Sequence, residues 1–278
     1  MGRAIQTSVE SAAGERGRGL AGPKAARVYD ILRDAIISTR LQPGARLVEK
    51  DLCEELGVSR TPLRDAIQRL AQQRLVTVVP SDATFVNRIA LDEVIEGQIL
   101  RESVELRMVA LAAERYTPDL EEAFTLILFR EALAAKRKDG AEAFALDNEL
   151  HRLICTCAGF PGMWDTISGA TGQLDRVRHR SFPLEDFHDE VHEEHQGIVA
   201  AIRSRDPKAA AERLKPHLLG NLRSLRILLA REPDLVACDP GSPAFAILES
   251  LVFLPCTDPA PARRRKGARG PRTLPEKV

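Results

Sequence analysis

The segment that most constrains this chain's fold is GVSRTPLRDAIQRLAQQRLVTVVP, residues 57–80. Gly57 follows a short amphipathic run over 49–56 and is the residue type that ends helices in the left-handed conformation. Ser59 stands where an N-cap would open the next helix, and Pro62 falls in its first turn, where a missing N–H is harmless. Leu63, Ala66, Ile67 and Leu70 then recur at threes and fours and give that helix one apolar face. The period changes at LVTVVP, which is short and β-branched, and SDAT makes a turn before a second short strand in FVNRI. Upstream, Ala26, Val28, Ile31, Leu32, Ala35 and Ile36 form one more apolar helical face, closed by Pro43-Gly44. Three helices followed by a two-stranded ribbon predict a winged helix-turn-helix over residues 24–89.

In such a unit the second helix of the turn enters the DNA major groove with its N-terminal residues against base edges. Here that end carries Ser59, Arg60, Thr61 and Arg64. Arg60 and Arg64 lie four apart and share a face, while Ile67 and Leu70 hold the opposite face in the core. Arginine can fork onto guanine, and hydroxyls suit phosphate. Lys50, near the start of the preceding helix, is placed for a phosphate.

The remainder is mainly α. From Leu91 to about 229 the pattern is helical, with breaks at Thr117-Pro118, Lys138-Asp139-Gly140, Gly159 to Gly162, Ser181 to Pro183 and Arg205 to Pro207. These predict about six amphipathic helices packed as an all-α bundle over 91–230. Residues 1–23 read as a disordered lead-in, and 233–278, rich in proline and arginine, as a disordered tail. Net charge is zero, yet the front is mildly basic, the middle acidic and the tail basic. The chain has five cysteines without a CxxC pair, which read as reduced thiols in a cytoplasmic protein. No apolar run approaches the roughly 18 to 20 residues of a membrane span.

All six histidines follow residue 150. Asp147 and His151 are four apart, about 40° round a helix, so both can face one point. His195 and His217 each extend an apolar stripe and are expected to point into the bundle. Three imidazoles and a carboxylate from three helices would satisfy one another by holding a divalent cation, zinc or nickel. A buried histidine is also commonly a hydrogen-bonded core residue. His188, His192 and His195 are spaced as a surface stripe too, so spacing leaves these readings open.

LQPGARLVEKDLCEELGVSRTPLRDAIQRLAQQRLV resembles the DNA-binding domain of GntR-superfamily transcription regulators, matching its PG.RL, L...LGVSRTP.R.A..RL and LV patterns in order and spacing. That resemblance gives Lys50, Ser59, Arg60, Thr61 and Arg64 the DNA-contacting roles. Two positions depart from the pattern: Arg74 replaces a usual glycine, and the wing tip reads Ser81-Asp82-Ala83, where Asp82 would repel phosphate. Residues 91 to about 228 resemble the FCD effector domain of the FadR-type members, through R...E at Arg101 and Glu105, D...H at Asp147 and His151, EH..I..AI...D around His195, and His217. There too the chain departs, with Leu150 for a common Phe and Phe160 for a favoured Asn. The resemblance implies that Asp147, His151, His195 and His217 bind a metal that helps to hold a small carboxylate effector. Arg101 is implied as a partner of that carboxylate, or else of Glu105 one turn away.

The function implied is a ligand-responsive transcription regulator, in the default a repressor, that binds a palindromic operator as a homodimer. The competing reading is a metal-dependent hydrolase built on the same Asp/His set. It lacks a placed general base, since Glu149 lies about 100° or more round the helix from the Asp147–His151 face. No HExxH, nucleophile elbow or phosphate-cradling glycine loop occurs either. The expectation is therefore a protein that is not an enzyme.

Overall fold

The structure is a computed structural model and describes residues 24–80, 83–181 and 187–250. The lead-in 1–23, Ser81-Asp82 of the wing tip, and 251–278 with its arginine run lie outside the described residues.

The N-terminal head contains α1 (Lys24–Ile37), β1 (Arg46–Leu47), α2 (Glu49–Leu56), α3 (Arg60–Gln72), β2 (Val76–Val78) and β3 (Thr84–Val86). The apolar stripes read from the sequence meet inside it, with Leu32, Ile36, Leu63, Ala66, Leu70 and Leu75 fully buried. Gly57 ends α2 at φ +63, the left-handed geometry its position requires. Ser59 does stand at the N-cap of α3 with extended backbone, but its hydroxyl makes no capping bond. The wing is a three-stranded antiparallel sheet in the order β1-β3-β2, with Arg46 opposite Phe85 and Val76 opposite Val86. The additional strand, β1, forms because the Pro43-Gly44 turn carries the chain back against β3. Gly44 N–H donates to Val86 O at 2.7 Å and Val86 N–H to Ala45 O at 3.0 Å. Two residues are too short for any period to show in sequence.

The bundle contains α4 (Leu91–Arg115), α5 (Glu121–Arg137), α6 (Gly140–Cys157), α7 (Gly162–Ala170), α8 (Gly172–Ser181), α9 (Phe187–Arg203) and α10 (Pro207–Arg231). The two long helices α4 and α10 lie against each other, with α9 beside them and α5 and α6 on the flank. Asp139 and Asp206 cap α6 and α10 by accepting from Glu142 N–H and Ala209 N–H. Residues 162–181, read as a single helix, are two, because the backbone leaves helical geometry at Thr171. That break brings α8 beneath the head. A Cβ on Gly172 would lie 3.3 Å from Leu75 Cδ2, so a small residue is needed at this approach.

Residues 233–250 correct the expected disordered tail. After α10 a 3₁₀ turn leads into β5 (Val236–Ala237) and α11 (Pro243–Ser250). Strand β5 pairs in parallel with β4 (Ile89–Ala90), the link between head and bundle. Arg88 donates to the carbonyls of Asp234, Pro233 and Val236 at 2.8, 3.2 and 2.5 Å. Leu235, Val236, Ala244 and Leu248 are buried in one cluster with Ile89, Leu91, Val94 and Ile95. The burial of these few apolar side chains, too sparse to form a periodic pattern, orders a proline-punctuated segment.

Candidate DNA-reading surface and metal centre

Lys50, Ser59, Arg60, Thr61 and Arg64 are all exposed, at the start of α2 and the first turns of α3. Arg64 Nε lies 3.1 Å from both carboxylate oxygens of Glu49, which aims the guanidinium across the mouth of the cleft between α3 and the wing. Arg46 of β1 lines the same cleft with Lys50 and Arg64. It was missed as a candidate because its strand is invisible in sequence. The third arginine of the helix, Arg69, belongs to the head's own packing. Its guanidinium carbon sits 3.8 Å over the Tyr29 ring.

Behind the head, Asp147, His151, His195 and His217 come together at the centre of the bundle, all buried, with candidate ligand atoms within 4.8 Å of one another. Helix α6 supplies the first two, α9 the third and α10 the fourth. His151 Nε2 is 3.2 Å from His217 Nε2. Asp147 Oδ1 is 3.7 Å from His195 Nε2 and 3.8 Å from His217 Nε2, and its Oδ2 is 3.8 Å from His151 Nε2. Nitrogens about 2.0–2.1 Å from one zinc ion stand roughly 3.3 Å apart, so the cluster is near ligating size. The other ring nitrogen of each histidine meets a carboxylate. His151 Nδ1 contacts Glu105 Oε2, His195 Nδ1 lies 2.7 Å from Glu131 Oε1, and His217 Nδ1 lies 2.8 Å from Glu194 Oε2. For His195 and His217, whose Nδ1 contacts are hydrogen bonds, a proton held there leaves Nε2 as a lone pair aimed inward, the outer-shell pattern of metal-binding histidines. His195 Nε2 is buried without a hydrogen-bond partner. Such an orphan is costly in a core and is satisfied by a cation. The residues present therefore fit a divalent metal.

Burial lowers the pKa of His151 to about 4 against the opposing pull of Glu105, which keeps the ring neutral. Burial also disfavours a charged His195, but the Glu131 carboxylate outweighs it and the net shift is upward. Burial opposes ionisation of Asp147 as well. Arg178 and the surrounding imidazoles prevail and hold it well below the usual carboxylate range. The possible surface stripe resolves in the same way. His195 turns inward, while His192 stays at the rim, 3.4 Å from Glu131 Oε2. Burial pushes the Cys155 and Cys157 thiols up to about 12 and about 11.

Of the two roles the sequence allowed for Arg101, the structure shows the ion pair. Arg101 is 1% exposed and holds Glu105 through Nε, and Glu105 in turn holds His151. Two arginines line the cleft beside the cluster, Arg178 of α8 and Arg223 of α10, and Arg178 Nη2 contacts Asp147 Oδ2. Asn221 lines the same narrow cleft, whose volume is about 20 Å³. Arg178 sits in an unremarkable polar run, GQLDRVRHRS, and nothing in its spacing marks it. Glu149 is exposed and bonded to Arg130 at 3.1 Å, turned away from the ligands.

The gntR family of bacterial regulatory proteins matches residues 24–86, and the FCD domain matches residues 98–220. The HTH-type transcriptional repressor RspR of Escherichia coli (strain K12) is 29% identical over 208 residues, 75% of this chain and 91% of its own length. An HTH-type transcriptional regulator in an unstable DNA locus of Streptomyces ambofaciens is 31% identical over 220 residues, 77% of this chain and 90% of its own. Among solved structures, E. coli McbR/YncC superposes with a TM-score of 0.67 at 24% identity, covers 74% of this chain and 98% of its own, and has the same fold. These matches, to a winged head carried on a helical bundle, define the class: a DNA-binding transcription regulator, not an enzyme. Within that class, the chain belongs to the GntR family, with an FCD domain behind its helix-turn-helix. Among the described residues no helix is long and apolar enough to cross a membrane.

Proposed function

We propose that this regulator is a metal-containing, ligand-responsive repressor that binds a palindromic operator as a homodimer and releases it on binding a small organic carboxylate. The observation that carries the reading is the convergence of three imidazole Nε2 atoms and one Asp147 oxygen, each ring braced by a carboxylate on its far side. A divalent ion bound there, zinc or nickel, would act as a Lewis acid toward an anionic oxygen. Asp147, His151, His195 and His217 would hold the ion, and Arg178 would receive the effector's carboxylate from the cleft. Arg101 then serves as the positioning partner of Glu105 rather than as an effector contact. Lys50, Ser59, Arg60, Thr61 and Arg64 read the duplex, with Arg46 beside them. Exposed Leu126 and Phe129, three residues apart on α5, are apolar surface of the kind a second copy would cover.

Native mass spectrometry of the purified full chain tests the reading, since it weighs metal, co-purified ligand and subunits together. The expected species is a dimer with one metal per subunit. His195→Ala should lose that metal while keeping the helical circular dichroism. Equal metal in the variant and the wild type would end this assignment.

A further inference from the structure

One carboxylate joins the pocket to the reading head. Arg178 on α8 contacts Asp147 Oδ2 through Nη2 and donates through Nη1 to Asp175 Oδ1 at 2.8 Å. The second oxygen of Asp175 accepts from Arg33 Nη2 at 2.7 Å, and Arg33 belongs to α1 of the head. The same guanidinium nitrogen donates to Ser168 O at 3.0 Å. Charges therefore alternate along Asp147, Arg178, Asp175 and Arg33, with side-chain exposures of 4, 3, 6 and 16%. At such burial charges are weakly screened, and a change at one end redistributes bonding along the row. Helix α1 in turn packs along α3, the helix that carries Arg60 and Arg64.

The neighbouring seam contacts differ in kind. Gln173 Nε2 donates to Arg74 O and Arg176 Nη1 to Asn87 O, both at 2.9 Å, so both end on neutral backbone carbonyls. The nearby Arg74–Glu93 ion pair has its arginine 66% exposed, where solvent screens it. Among these seam contacts, only the row through Asp175 both carries charge and touches the metal-ligand set.

We propose that Asp175 is the residue through which the pocket controls the head: the charge at Asp147 sets how firmly Arg178 holds Asp175, and thereby how firmly Asp175 holds Arg33. The proposal rests on the pocket reading above and adds its route of regulation. Neutralising Asp147, by a bound cation or by substitution, frees Arg178 to bond Asp175 more strongly. Arg33 then loses its share of that carboxylate and α1 loosens from the bundle. An anionic ligand that draws Arg178 to itself acts in the opposite sense and leaves Asp175 to Arg33.

The test is hydrogen exchange of the α1 amides in the full-length protein, combined in a mutant cycle. Asp147→Asn should speed exchange of residues 28–37 several-fold in the wild-type background and not further in an Asp175→Asn background. Asp175→Glu should restore part of the response. Additive effects of Asp147→Asn and Asp175→Asn would overturn the proposal, because two independently destabilising changes would add. Zinc chloride provides an arm that needs no change at Asp147. Zinc should speed α1 exchange in the wild type and leave Asp175→Asn unmoved, with its retention measured separately by competition with a fluorescent zinc indicator. Zinc retained by both proteins with equal exchange responses sinks the relay and leaves the pocket reading standing. Zinc not retained at all sinks the pocket reading, while a non-additive mutant cycle would still uphold the relay.

Discussion

At the scale of single residues, the informative positions are those where a side chain sits against its local preference. Arg74 adopts φ +53, the left-handed conformation that favours glycine. A non-glycine residue in this region is destabilised by about 1 kcal/mol. Its exposed ion pair with Glu93 returns little of that. Arg74→Gly should therefore raise the stability of the protein by roughly 0.5–1 kcal/mol in denaturant unfolding. No gain would mean that the ion pair and the seam matter more than backbone strain. On the reading surface, Arg60→Ala should weaken binding to a selected duplex roughly tenfold or more, with the unfolding midpoint unchanged. The exposed positions at the start of α3 were legible in sequence because a helix of known register allows each side chain one direction. The Glu49 bond to Arg64 was not legible, since it joins two helices across a turn.

At the scale of elements, the helices followed their apolar periods and the short strands did not. Strands β1, β4 and β5 are two residues each, and tertiary pairing alone makes them strands. The segment 233–250 is the plainest case: its prolines and sparse apolar residues suggest disorder, yet it clasps the link between head and bundle. Truncation after Arg231 should therefore lower the thermal midpoint by several degrees and speed amide exchange at residues 87–91. An unchanged midpoint would show that the clasp contributes nothing. The sequence pattern makes α8 the end of one helix running from Gly162 to Ser181. As a separate element it carries Arg33's partner Asp175, the seam residues Gln173 and Arg176, and the cleft residue Arg178.

At the scale of the whole molecule, a metal held at the centre of the bundle would couple its binding to protons. An imidazolium must lose its Nε2 proton before that nitrogen can ligate, while Nδ1–H keeps its bond to the bracing carboxylate. His195 holds that proton to higher pH than an ordinary histidine because of Glu131, whereas His151, held down to about 4, offers its lone pair throughout the neutral range. Zinc affinity should accordingly fall as pH drops through the raised His195 value. Glu131→Gln should move that inflection to lower pH while reducing affinity at the plateau, roughly 10- to 100-fold. Indicator competition across pH reads both, and an inflection that stays put would remove Glu131 from this role. The sequence by itself determined the winged head, the helical character of the bundle and the exposed face of α3, because each depends on local period, whereas the set Asp147, His151, His195 and His217 came from the family resemblance and not from spacing. Which carboxylate braces each ring, which arginine meets Asp147, how the segment 233–250 is held and which side chains bridge head and bundle were decided only by tertiary structure. Those are contacts between residues tens to more than a hundred positions apart, and nothing in local periodicity brings such pairs together until the core has closed.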